Sequence, residues 1–186
     1  MLLQRLLAPT YVQMLGALSA WLAKVDVDVV AEEALLTACL APDMFPLSTQ
    51  ISFACVQAQE GVSRLRQEPL PASIAVLLDE GRNAAQRPGS LGDALKKIAS
   101  TIHLVQAAAV DAPDIDPSIP IAHELPQGMI FDLTAEQYVR DWALPQFYFH
   151  VMTAYAILRS QGIVLGKVDY VAHMFGYLRP GTAPAQ

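Results

Sequence analysis

From Leu144 to Gly162 the chain reads LPQFYFHVMTAYAILRSQG, and almost every position between Phe147 and Leu158 is apolar or aromatic. A helix of that composition keeps no clean polar face, so it must be covered on more than one side. It is therefore central to the fold, or it lies at a subunit contact. One ionisable group, His150, sits in its interior. Stepping by three and four, Val139, Ala143, Phe147, His150, Ala154 and Ile157 share one face, which turns His150 toward the helix's neighbours. Upstream, Thr134-Ala135-Glu136-Gln137 reads as a capping box in which the Thr134 hydroxyl and the Gln137 amide satisfy each other's backbone N–H groups. Gly162 supplies a left-handed stop. Pro145 lies inside this span and removes one backbone bond at about 3 kcal/mol, so a kink, or two helices meeting at Leu144-Pro145, is expected.

A chain of 186 residues is long enough for one domain with a substantial core and short for two. Residues 1–178 are expected to form a single helical domain and 179–186 a disordered tail. Apolar residues make up 53% and charged residues 16%, a balance that fits a folded globule with a buried helix. The net charge of −6 has no basic stripe set against it, since Lys96-Lys97 is the one adjacent basic pair, so nucleic acid is not expected as a partner. No apolar run reaches the roughly 18 residues of a membrane span. The N-terminal MLLQRLLAPTYVQ carries Gln4 and Arg5 and no small-residue cleavage site, so no secretory signal is read there. Cys39 and Cys55 have no metal-type spacing and are expected to be buried thiols in a reducing compartment, the cytoplasm.

Along the chain, Tyr11, Met14, Leu15, Leu18 and Leu22 give a first amphipathic helix over 8–23. A shorter one is expected over 26–40, ended by Pro42. The next should start near Asp43 and run to about Arg66, with a stripe of Met44, Leu47, Ile51, Ala54, Cys55, Ala58, Val62 and Leu65. Asp43, Gln50 and Gln57, seven apart, line up on one margin of that stripe. Residues 69–90 read as a connector with a short apolar piece, Ile74 to Leu78. Ser90 caps a further long helix, LGDALKKIASTIHLVQ, with Leu91, Leu95, Ile98, Ile102 and Val105 facing in and His103 beside that face. Prolines at 113, 117, 120 and 126 forbid a long helix after Asp111. The runs 119–125 and 129–133 around Pro126-Gln127-Gly128 predict a hairpin laid on the bundle, with His123 at its surface. One more short helix is expected within 167–178.

Two stretches, ALLTACLAPDMFPLSTQI at 34–51 and LPQFYFHVMTAYAILRSQGIVLGKVDY at 144–170, together with LGDALKKIASTI at 91–102, resemble a domain-of-unknown-function family within the DinB/YfiT-like superfamily. The resemblance covers nearly the whole chain. It implies an all-α, up-and-down four-helix bundle with short extra helices and the small hairpin before the last long helix. It also implies a dimer, and a cleft in which many relatives hold a divalent metal through three histidines; some of those are thiol-dependent transferases or isomerases. Metal-binding relatives carry two histidines four apart ahead of an LR-x-x-G run. Counted back from Gly162, the second falls on His150 and the first on Gln146. The third comes from the second bundle helix, where this chain offers Asp43, Gln50 and Gln57. One imidazole with neutral amides is a poor divalent site, so no metal cofactor is expected.

His150 is open to two readings. It is a structural histidine bonded to a facing group such as Asp43, Gln50 or a tyrosine, or it acts as acid, base or hydrogen-bond donor to a small ligand. Tyr148 and Tyr155, seven apart on another face, are core aromatics or further hydroxyls for a ligand. Arg159 should meet a carboxylate or the carbonyls at the helix end. No phosphate loop, nucleotide fingerprint or nucleophile motif appears. The sequence thus predicts a homodimeric bundle that binds a small, mainly apolar molecule between its helices, with metal-free acid/base chemistry as an option. His150 and Asp43 are the catalytic candidates, and Gln50, Gln57, Gln146, Tyr148 and Tyr155 the ligand-binding ones. The alternatives are a non-catalytic assembly protein, and a metal enzyme in which His150 is joined by Asp43, His103 or His173.

Overall fold

A computed structural model describes residues 3–110 and 115–182. Pro113 and the last four residues of the expected tail lie outside them. The described elements are α1 (Leu3–Leu22), α2 (Glu32–Leu36), α3 (Leu47–Leu65), α4 (Ala72–Arg82), α5 (Leu91–Val110), β1 (Pro120–Glu124), β2 (Ile130–Thr134), α6 (Ala135–Gln137), a π-helical segment Tyr138–Ala143, α7 (Leu144–Ser160), α8 (Lys167–Tyr170) and a 3₁₀ turn Ala172–Tyr177. Four long helices, α1, α3, α5 and α7, make the bundle. Helix α3 is its axis and packs against α1, α4, α5 and α7. One contiguous hydrophobic cluster joins all of them.

The expected stripes face inward. Tyr11, Met14, Leu15, Leu18 and Leu22 are buried, as are Leu47, Ile51, Ala54, Cys55, Ala58, Val62 and Leu65. Polar residues inside the bundle are tied across helices: Gln59 Nε2 donates to Thr101 Oγ1 at 2.9 Å, Ser73 Oγ donates to Gln59 Oε1 at 2.6 Å, and Thr49 Oγ1 donates to the Gly81 carbonyl at 2.7 Å. Cys39 and Cys55 are free thiols. No helix of the described residues is long and apolar enough to cross a membrane.

Several boundaries differ from expectation for physical reasons. Helix α1 begins at Leu3 and takes Pro9 inside it. Arg5 and Pro9 are both exposed, so water can serve the carbonyl that loses its N–H. The expected helix over 26–40 shrinks to the five residues of α2, with Val29 78% exposed. Helix α3 starts after Pro46 rather than near Asp43, because Phe45 precedes a proline and is held out of the helical region. The 69–90 connector contains a real helix, α4, which Pro71 introduces and which buries Ile74, Leu77 and Gly81. At the start of α5 Leu91, Ala94, Ile98, Thr101 and Val105 form the buried face, and the Ser90 hydroxyl receives the Asp93 N–H at 3.1 Å. His103 is exposed.

The hairpin pairs Pro120 with Thr134 through Glu124 with Ile130, and Gly128 turns it at φ +81°. His123 is not at its surface. It is 3% exposed, because alternate residues of β1, Ile121 and His123, face the bundle. The Thr134–Gln137 capping box is present. Pro145 then sits in the first turn of α7 after a π-helical stretch. There Leu144 N–H reaches back five residues to the Val139 carbonyl, and the wider turn takes up the proline without breaking the run. Val139, Ala143, Phe147, His150, Ala154 and Ile157 are all buried across that junction. Gly162 ends α7 at φ +84°.

Helices α1 and α3 pack together with Tyr11 set against Gly61. A Cβ on Gly61 would stand 2.4 Å from the Tyr11 hydroxyl and 3.1 Å from two ring carbons. We predict that Gly61→Ala destabilises the fold by about 1–2 kcal/mol, overpacking outweighing the gain of about 1 kcal/mol in helix propensity. In a Tyr11→Phe background the loss should shrink, since the nearest atom is gone. A urea double-mutant cycle reads both values, and a stabilised Gly61→Ala protein would refute the contact.

Candidate functional site

Gln50 stands in the first turn of α3, placed there by the start after Pro46, and His150 lies midway along α7. These two helices are in direct contact, and the pair joins them. Gln50 Nε2 donates to the Phe45 carbonyl at 3.1 Å, which leaves Oε1 to accept from His150 Nδ1 at 2.8 Å. When neutral, an imidazole that donates from Nδ1 carries its lone pair on Nε2. No described residue bonds that Nε2.

The surroundings are aromatic. The His150 ring meets Phe53 edge-on at 5.4 Å and Phe149 at 5.4 Å, and Phe45 meets Phe53 at 5.7 Å. His150 itself is 9% exposed, whereas Phe45 and Phe149 are 52% and 55% exposed. The rim is thus open while the imidazole is sheltered. Burial pulls the His150 pKa down to about 4, with no neighbouring carboxylate to oppose it. Phe53 is held from behind by α4, where a Cβ on Gly81 would come within 2.5 Å of its ring. Cavities of about 280, 310, 360 and 390 Å³ elsewhere among the described residues do not include His150.

Of the other sequence candidates, Asp43 stands exposed on the loop before α3, and among the described residues no hydrogen bond or ion pair joins it to His150. Gln50 takes the orienting role instead. Gln57 is two turns further along α3, half-buried, with its Oε1 sealed and unpartnered. Gln146 is half-buried one turn before His150. Tyr148 and Tyr155 belong to a different face: Tyr148 packs on Phe147 at 5.9 Å, and Tyr155 on Trp21 at 5.2 Å and Tyr170 at 6.3 Å. Burial raises the Tyr148 phenol. Arg159 Nη1 donates to the Leu165 carbonyl, fastening the chain that leaves α7. The rim residues Phe45, Phe53 and Phe149 were not singled out from the sequence. Only their proximity to a histidine distinguishes them, and that proximity is tertiary.

A divalent metal does not fit this set. His150 Nδ1 is engaged, leaving one imidazole nitrogen beside neutral amides, and hard or borderline cations need anionic or further imidazole ligands. Among the described residues no three His, Cys, Asp or Glu side chains gather as a metal group.

Three comparisons bear on this geometry. A family model, that of the Domain of unknown function (DUF1993), matches residues 3–171. A solved structure described as a DinB family member protein from Shewanella denitrificans is similar at 29% identity with a TM-score of 0.67, over 98% of this chain and 96% of that one. No curated protein matches.

The buried imidazole makes a pH prediction. The folded ring takes its proton near pH 4 and the unfolded one near about 6.5, so between these values the unfolded state binds more protons. Stability therefore falls as pH drops through that window, by at most about 1.4 kcal/mol per unit. His123, also lowered by burial, adds to the same slope. In His150→Phe one proton's share of the slope should vanish. Nitrogen-15 NMR should find His150 neutral with hydrogen on Nδ1 at pH 6, and a titration midpoint at or above the ordinary value would refute the assignment.

Proposed function

The chain belongs to the DUF1993 family and has a DinB-like fold, and on that premise we propose that it is a small-molecule-binding bundle. The ligand is mainly apolar and carries one O–H or N–H group. Its apolar body rests on Phe45, Phe53 and Phe149, and its donor is received by His150 Nε2. The observation that carries this reading is the relay Phe45 carbonyl, Gln50 amide, His150 Nδ1. It fixes both the tautomer and the ring orientation, which is what preorganises a single acceptor.

A base with a pKa of about 4 is neutral at pH 7 but weak, and proton transfer works best when the pKa lies near the working pH. The geometry therefore supports recognition ahead of catalysis. Acid/base turnover by this ring requires a ligand that itself raises the pKa, and no metal has a part in it. The reducing, cytoplasmic setting fits two free thiols, one of them, Cys55, pushed up to about 11 by burial. The acidic surface, without a basic stripe, disfavours nucleic acid.

A second reading is a homodimer surface without a ligand. It is favoured by Phe149 and Met152, one helical turn apart on α7 and both exposed, which with Phe45 give an apolar area of the kind that marks contacts.

Phenol, indole and cyclohexanol serve as probes. They should move the His150 Nε2 resonance in NMR, and His150→Phe, which keeps the packing, should weaken their binding about two- to tenfold, the worth of one neutral hydrogen bond. Equal binding to His150→Phe would sink the ligand reading. A concentration-dependent dimer lost in Phe149→Ser would support the second reading.

A further inference from the structure

Beneath the hairpin lies a second polar cluster, about 15 Å along α3 from Gln50 at 1.5 Å per residue, and independent of the reading above. Its wall on α3 is Glu60, whose Oε1 receives Arg64 Nε at 2.7 Å; Arg64 Nη1 in turn donates to the Ala122 carbonyl of β1 at 3.2 Å. The hairpin contributes His123, whose ring lies 4.3 Å from Trp142 and 5.6 Å from Tyr138. Its Nδ1 is 3.6 Å from Glu60 Oε1, too long for a hydrogen bond. Tyr11 completes the group from α1, its hydroxyl pressed against Gly61 next to Glu60.

Five atoms here are sealed from solvent with no hydrogen-bond partner among the described residues: both ring nitrogens of His123, the hydroxyls of Tyr11 and Tyr138, and Trp142 Nε1. Burial raises both phenols, and the Glu60 carboxylate and their own proximity add to the shift of Tyr11. Folded proteins satisfy nearly all such atoms, and those left over call for water, an ion or a ligand. Five unsatisfied atoms in one place would together consume a large part of a domain's stability margin.

We infer that this cluster encloses a binding site for a neutral, oxygen-bearing molecule, roofed by the hairpin. The chemistry of the walls selects that class. Two phenols, an indole N–H and one imidazole N–H are donors seeking an acceptor oxygen. An anion is opposed by Glu60, and a cation finds Glu60 already paired with Arg64 and faces the donor hydrogens. The oxygen is that of internal water or of a small carbonyl compound. Arg64 and Ala122 also line a surface groove of about 390 Å³ with Pro120 and Ile121, so the Arg64 side chain, bonded to Glu60, stands between that groove and the cluster.

Tyr11→Phe and Tyr138→Phe test the inference by stability. Removing a hydroxyl that bonds an occupant should raise the unfolding equilibrium constant about two- to tenfold, whereas removing one with no partner leaves the protein as stable or more so. Two measurements then identify the source. Oxygen-17 water relaxation dispersion detects slowly exchanging internal water, which should disappear in Tyr138→Phe. Acetamide, as a neutral carbonyl probe, should instead raise the unfolding midpoint saturably in the parent and not in Tyr138→Phe. Either signal, with the stability loss, supports the site. Variants at least as stable as the parent, or the absence of both signals, overturn it.

Discussion

A helix covered on most of its sides leaves few of its polar side chains within reach of water. Helix α3 is in that position, and yet Ser48, Thr49, Gln50, Ser52, Gln59 and Ser63 all lie buried on it. Each such group must be paired inside the protein or be left at a cost. Most of the pairing is structural: Ser48 to the Leu36 carbonyl, Thr49 to α4, Gln59 to α4 and α5. Gln50 differs because its partner is ionisable and has one nitrogen without a partner among the described residues. Glu60 differs because its neighbours remain largely unpaired. Both candidate sites are thus places where groups packed against one covered helix lack partners among the described residues.

Much of this was legible in the sequence, because the signals were local. The stripes of α1 and α3, the Ser90 cap, the Thr134–Gln137 box, and Gly128 and Gly162 each follow from a few adjacent residues. The inward face from Val139 to Ile157 was legible too, even across Pro145. Helix α4 was hidden because Ile74 and Leu77 are the only large apolar residues it buries, with a glycine that packs on Phe53 where a third stripe residue would stand. His123 was misplaced because alternation along a strand does not say which side the bundle covers. At the site, the sequence held His150 and its candidate partners but could not choose among Asp43, Gln50 and a tyrosine. The choice depends on where α3 begins, and a loop carboxylate before Pro46 loses to an amide one turn inside the helix.

An amide opposite an imidazole has a chemical effect unlike that of a second histidine. The glutamine accepts one N–H and thereby fixes a tautomer, but it adds neither charge nor a second strong ligand. The histidine is kept neutral by its apolar surroundings, with Phe53 and Phe149 edge-on to it. Such an arrangement offers an apolar surface and one hydrogen-bond acceptor.

The π-helical segment ahead of α7 has a consequence for how the chain can vary in length. Each residue in a helix advances the side-chain direction by about 100°, and the segment Tyr138–Ala143 sets the phase between the hairpin and everything after Pro145. Excising one residue there would straighten the hydrogen-bond ladder but rotate His150 off Gln50, or else rotate Tyr138 and Trp142 out from under the hairpin. Insertions and deletions in that stretch therefore cannot drift freely during descent, and the two polar places are geared to each other by the count of residues between them.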